Sequence, residues 1–211
     1  MIGTVEQLAA LAVLVFAVAL TLSRSPEAAV TILAWAAVPQ AVLAVVLAAS
    51  GGLPLLYPDA LAILAVKGLW APRLLRRGVP LPEKSYGQRA SLSPTVILIA
   101  SGLVTLMCLR LAAAILPHEA TPLGVALAAM AVGFGGVAVR SELWSQAAGM
   151  LAGEAGLMTM ILVLARGLPP AGEALALAEV VFLAVLLSAL TRLVQAIHGA
   201  PDSALLRGLR G

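Results

Sequence analysis

Long apolar runs alternate with short polar gaps along this chain. Seven such segments stand out, at about Glu6–Leu22, Ala28–Ala49, Pro58–Leu75, Pro94–Leu116, Pro122–Val139, Leu143–Ala165 and Ala174–Ile197. Their lengths fit helices that cross a bilayer core, the shorter ones tilted or sheltered by neighbours. Pro and Gly mark the gaps, as in Ser25-Pro26, Gly51-Gly52-Leu53-Pro54, Leu116-Pro117 and Gly167-Leu168-Pro169-Pro170. Pro58, Pro94 and Pro122 fall near helix starts, where a missing N–H is harmless. Pro39 lies inside the second segment and is expected to kink it. The pattern predicts an all-α, polytopic transmembrane bundle of about seven helices.

Charge then orients the bundle. Arg24 follows the first segment, Arg73, Arg76, Arg77, Lys84 and Arg89 follow the third, Arg140 follows the fifth, and Arg207 and Arg210 lie in the tail. The alternate gaps hold only Arg166. Seven helices with the N-terminus outside and the C-terminus inside satisfy the positive-inside rule at every loop. The polar stretch at 79–93 reads as a cytoplasmic connector. It joins a three-helix front part (1–78) to a four-helix back part (94–200), and 201–211 reads as a cytoplasmic tail. The N-terminus lacks the basic lead of a secretory signal and is expected to run into a retained first helix.

Composition agrees. The chain is 62% hydrophobic and 11% charged, with mean hydropathy +1.06, whereas a soluble domain has roughly 45–50% apolar and 25% charged residues. The net charge of +3 does not point to nucleic acid, because the basic residues sit at span ends. The single Cys108 allows no disulfide framework within the chain. No Cys/His cluster suggests zinc, haem or an iron–sulfur centre, so no cofactor or metal is expected. His118 and His198 read as polar caps at the water interface. Small residues crowd the fifth and sixth segments (Gly133, Gly135, Gly136, Gly149, Gly153, Gly156), and Gly149 with Gly153 forms a small-xxx-small face for close helix packing.

The chemistry lies in ionisable residues inside apolar segments. Glu154 is near the centre of the sixth, Glu179 about a third of the way into the seventh, Lys67 near the middle of the third, and Arg110 nearer the outer end of the fourth. A charge at such a depth costs on the order of 2.5–3.5 kcal/mol on insertion scales, so it implies a use. At a rise of about 1.5 Å per residue, Glu154 lies about 16 Å, Glu179 about 9 Å and Lys67 about 15 Å below the outer edge. The short turn between the sixth and seventh segments makes them antiparallel neighbours. Two carboxyls and an amine are thereby expected to share the middle of the bilayer. Desolvation disfavours the charged form of each, and mutual approach restores it, which is the electrostatic minimum of a proton relay. A static packing role for the same charges is the competing reading. Arg110 reads either as a member of the path or as a snorkelling residue. Asp59, Glu142 and Glu173 sit near helix N-termini, where acids are favoured in any case.

The residues then resemble a known family. The segment from Val139 to Gly156, with Ser141-Glu142-Leu143-Trp144 and Gly153-Glu154-Ala155-Gly156, resembles the region of hydrogenase-4 component E proteins that ends in Glu-Asn-Gly. Lys67-Gly68-Leu69-Trp70-Ala71-Pro72 resembles their third-helix Lys-x-x-x-x-Pro, and Pro82-Glu83-Lys84 resembles the Pro-Glu-Lys that follows. Ala176-Leu177-Ala178-Glu179-Val180 resembles the last helix of the complex I K subunit, and the tail from Asp202 to Gly211 is similar to both. Ala155 stands in place of the asparagine. Leu151 occupies the place of the K subunit's first membrane glutamate, so Glu154 falls almost one turn further along. The resemblance implies a membrane-arm subunit of a complex-I-like (group 4 type) hydrogenase, without a redox site of its own, in a prokaryotic cell (inner) membrane. Lys67, Glu154 and Glu179 would form its proton path, with Arg110, Glu142, Asp59 and Glu173 secondary. Its partners would be antiporter-like subunits, redox-arm anchoring subunits and the lipid bilayer. A subunit of a multisubunit cation/proton antiporter, or a scaffold of the membrane arm without proton transfer, are the other readings. A free-standing transporter is the least expected, since no inverted repeat is visible.

Overall fold

The computed structural model describes residues 2–23, 25–51, 56–78, 93–139 and 143–165, together with 185 and 189. Among these residues the chain is helical apart from Ser23, Ser25, Ser93 and Leu116, and there is no strand. The elements are α1 (Ile2–Leu22), α2 (Pro26–Gly51), α3 (Leu56–Ile63), a π-helical segment (Leu64–Trp70), α4 (Ala71–Gly78), α5 (Pro94–Ile115), a 3-10 turn (Pro117–Glu119), α6 (Ala120–Val139) and α7 (Leu143–Ala165). The expected seventh helix apart from 185 and 189, the connector up to 92, and Glu142, Glu173 and Glu179 lie outside the described residues.

Five of the described helical stretches are long and apolar enough to cross a membrane: Gly3–Leu22, Glu27–Ser50, Pro94–Ile115, Pro117–Val139 and Gln146–Leu164. The third expected span takes a different form. It is a continuous helical rod from Leu56 to Gly78, but its middle turns are π rather than α.

Local chemistry sets the helix ends. Ser25 Oγ accepts from the Ala28 N–H at 3.2 Å, with Pro26 opening α2. Ser93 Oγ accepts from the Val96 N–H at 3.3 Å, with Pro94 opening α5. A hydroxyl cap followed by Pro at the first helical position satisfies one orphan donor and deletes another. Pro117 ends α5 and starts the turn into α6. Pro39 stays inside α2, which remains helical from Pro26 to Gly51.

The expected front and back parts share one core. Val13, Leu14 and Leu20 of α1, Val30 and Leu33 of α2, Leu75 of α4, Val125 and Val132 of α6, and Leu151 of α7 are buried together. A second cluster joins Leu43 and Leu47 of α2 to Leu56 of α3 and to Leu162 and Val163 of α7. By contrast, α5 packs mainly on α6, and 11% of its span is buried.

The closest approach is between α6 and α7. A Cβ on Gly133 would strike the Gly153 backbone nitrogen and come within 2.6 Å of its Cα. A Cβ on Gly156 would strike the Met130 nitrogen and lie 2.7 Å from its Cα. These are backbone atoms, so no rotamer change relieves the clash. The glycines allow two helix axes to meet backbone to backbone, which in an apolar medium replaces hydrophobic driving force with dispersion contact. We predict that Gly133→Ala destabilises the purified protein by about 1–3 kcal/mol, the usual cost of overpacking. Gly135→Ala, where a Cβ meets nothing within 4 Å, is predicted to be neutral or stabilising by up to about 1 kcal/mol. Unfolding in mixed micelles measures both, and equal effects at the two positions would refute the close approach.

Candidate functional site: a buried ion pair between the third rod and α7

Lys67 lies in the middle of the π segment and Glu154 at the midpoint of α7. Lys67 Nζ donates to Glu154 Oε1 at 2.8 Å. The two side chains are 8% and 13% exposed, and apart from Gln40 the side chains lining the site around them are aliphatic. The depths deduced from helical rise thus correspond to a direct contact. Glu179 belongs to the same expected cluster but lies outside the described residues.

The backbone around Lys67 has a local cause. Pro72 has no N–H, and its ring crowds the carbonyl four residues back, that of Gly68. An α-helix through this point would hold both a missing bond and a clash. The helix widens before reaching Pro72, and the Ala71 N–H donates to Val66 O, five residues back. A π turn inserts one residue into the α register and swings the side chains after it around the axis. Gly68 faces α2, where a Cβ would lie 3.5 Å from Ala37 Cβ. The rod thereby lies close to α2 while Lys67 reaches α7. On the other side, the glycines that seat α7 against α6 fix the helix from which Glu154 projects.

Magnitudes show what the pair contributes. At 2.8 Å and an effective dielectric of about 20, the attraction is about 6 kcal/mol. Two isolated charges near mid-span cost together about 5–7 kcal/mol on insertion scales. The terms nearly cancel. The pair adds little net stability, but neither charge is tolerable without the other.

A third polar residue joins the site. Gln40 of α2 is fully buried, and its Nε2 donates to Ala155 O at 2.7 Å. Thr159, also fully buried, donates from Oγ1 to the same carbonyl at 2.8 Å. Gln40, Lys67 and Glu154 line a common cavity of about 20 Å³, the volume open to the centre of a water molecule. Sequence reasoning ranked ionisable residues and passed over this neutral amide. The available signal was a lone amide amid some twenty apolar residues, next to Pro39.

The other candidates stand apart. Arg110 is exposed on α5. Asp59, in the first turn of α3, is half-buried, and its Oδ2 has no hydrogen-bond partner among the described residues. Its Cα precedes that of Lys67 by eight residues, about 12 Å along the rod. His118 is exposed in the 3-10 turn.

Searches against protein-family models, curated proteins and solved structures return no match to this chain.

Removing one partner strands the other charge in an apolar interior. Lys67→Met and Glu154→Leu are each predicted to destabilise by about 3–5 kcal/mol, and the double variant to recover most of that loss. A double-mutant cycle in mixed micelles measures the coupling, and additive losses would show that the two groups do not depend on each other.

Proposed function

We propose that this chain is a membrane-arm subunit of a complex-I-like (group 4 type) hydrogenase, and that Lys67 and Glu154 belong to its proton path. The observation that carries the reading is the buried ion pair at 2.8 Å, midway along both the Leu56–Gly78 rod and α7. The resemblance of the segments around Lys67, Glu154 and Glu179 to component E and K-subunit sequences supplies the assembly. On this reading the chain has seven spans, with the N-terminus outside and the C-terminus inside a prokaryotic cell (inner) membrane. Antiporter-like and redox-arm anchoring subunits flank it.

The chemistry follows from the balance of energies at the pair. While the ammonium and carboxylate touch, both charges are sustained by mutual attraction. When a neighbouring subunit draws the rod and α7 apart, neither charge keeps its compensation. As the contact loosens, a proton of Lys67 Nζ passes along the hydrogen bond to Glu154 Oε1 before it breaks, leaving an amine and a carboxylic acid, both neutral. A proton delivered to one side and withdrawn from the other completes a transfer step. Glu179, in the seventh span, is the group that would take the proton onward. Lys67 sits in π turns, and inserted turns of this kind recur at functional sites.

The test is redox-driven proton uptake by membrane vesicles carrying the assembled complex. Glu154→Gln and Lys67→Met are each expected to lower the uptake rate by a factor on the order of 10², as for loss of a positioned proton-transfer group. Glu179→Gln is expected to uncouple pumping from electron transfer with assembly intact. Unchanged pumping in a fully assembled complex would leave Lys67–Glu154 as a packing bridge. Co-purification with antiporter subunits alone, without redox subunits, would place the chain in a cation/proton antiporter instead.

A further inference from the structure

Gln40 has one satisfied end and one unsatisfied end. Its Nε2 donates to Ala155 O at 2.7 Å, which identifies that end of the amide as the NH2 group. The other end, Oε1, is fully buried and has no hydrogen-bond partner among the described residues. Buried carbonyl oxygens are almost always paired, with protein or with an internal water.

The cavity beside Gln40 has the dimensions and the chemistry for that partner. A water needs roughly 10–15 Å³ of such volume and two to four polar partners. The cavity offers about 20 Å³, enough for one water. Three polar side chains line it, those of Gln40, Lys67 and Glu154, and the remaining walls are aliphatic. Gln40 Oε1 and the second Glu154 oxygen accept hydrogen bonds, while the Lys67 ammonium has three N–H donors and spends one on Glu154 Oε1. A metal cation is disfavoured by that same ammonium.

We propose that Gln40, Lys67 and Glu154 together bind one internal water molecule. It accepts from Lys67 Nζ and donates to Gln40 Oε1 and to the Glu154 carboxylate. Gln40 acts as a positioning residue. By accepting a hydrogen bond from one water O–H, it turns the other toward Glu154 and the lone pairs toward Lys67. The ion pair thus becomes a network that reaches α2 and binds three elements of the bundle. The site rests on geometry and stands whether or not protons travel through the pair.

Solid-state NMR of the full chain in lipid nanodiscs tests it. The readout is magnetisation transfer from water protons to the Lys67 15Nζ resonance, which is assigned by its loss in Lys67→Met. The wild type is expected to show a strong water cross-peak. Thr159→Val, which removes the other donor to Ala155 O and leaves the cavity's polar groups in place, should keep it. Gln40→Met, close in length but without the carbonyl, should lose most of it, severalfold or more. Absence of the cross-peak in the wild type would overturn the proposal without reference to any variant. So would a full-strength cross-peak in Gln40→Met, or displacement of the wild-type signal by added Na+.

Discussion

Two full charges placed in an apolar interior must find each other, and the helices carrying them must accept whatever geometry that requires. Lys67 and Glu154 lie 87 residues apart in sequence and meet at 2.8 Å. Attraction and desolvation nearly cancel for such a pair, so it contributes little net stability. It does exclude every arrangement in which either charge is alone. Sliding the third rod by one turn along α7 would part the groups by about 5 Å and leave both uncompensated. The contact therefore acts as a registration constraint between an element of the front part and one of the back part.

The surrounding backbone makes that registration possible. On one side, glycines let α6 and α7 approach until only backbone separates them, so α7 has little freedom of position. On the other side, the rod widens into π turns just before Pro72, with Lys67 at their centre. Rigid seating of the acid and a deformable seating of the base form an asymmetric arrangement. Gln40 occupies the third side, anchored on the same turn of α7 through Ala155 O.

The site gains its electrostatic character from what is missing around it. Apart from Gln40, the side chains lining the site around the pair are aliphatic, among them Leu33, Ala36, Ala37, Ala71 and Leu151, none of which solvates an ion. In such surroundings each charge depends on the other for its compensation, and parting the two leaves both without it. This is the physical basis of the proposed role in proton transfer. The exposed apolar face of α5 has a different character. It carries Leu103, Leu106, Met107 and Leu111 outward, as a lipid-facing helix does.

Much of this was legible in the chain, and for identifiable reasons. Apolar run length set the positions of α1, α2, α5, α6 and α7, because a helix that is hydrophobic all round belongs in a membrane or a buried core. Counting residues from the span ends put Lys67 and Glu154 at one depth, because helical rise is nearly constant. Gly149 and Gly153 announced a close helix face, and Gly153 is the residue whose backbone Gly133 meets. The π turns were not legible. Pro72 and Gly68 gave the ingredients, but the choice between kinking, breaking and widening depends on what α2 presents to the rod. Gln40 was not legible as a site residue either, since a neutral amide carries no charge to mark it. Sequence alone determined that charges lie deep in an apolar bundle, because composition and spacing are properties of the chain. The tertiary fold decided which charges touch and which amide joins them, because facing and rotation depend on packing between helices far apart in sequence.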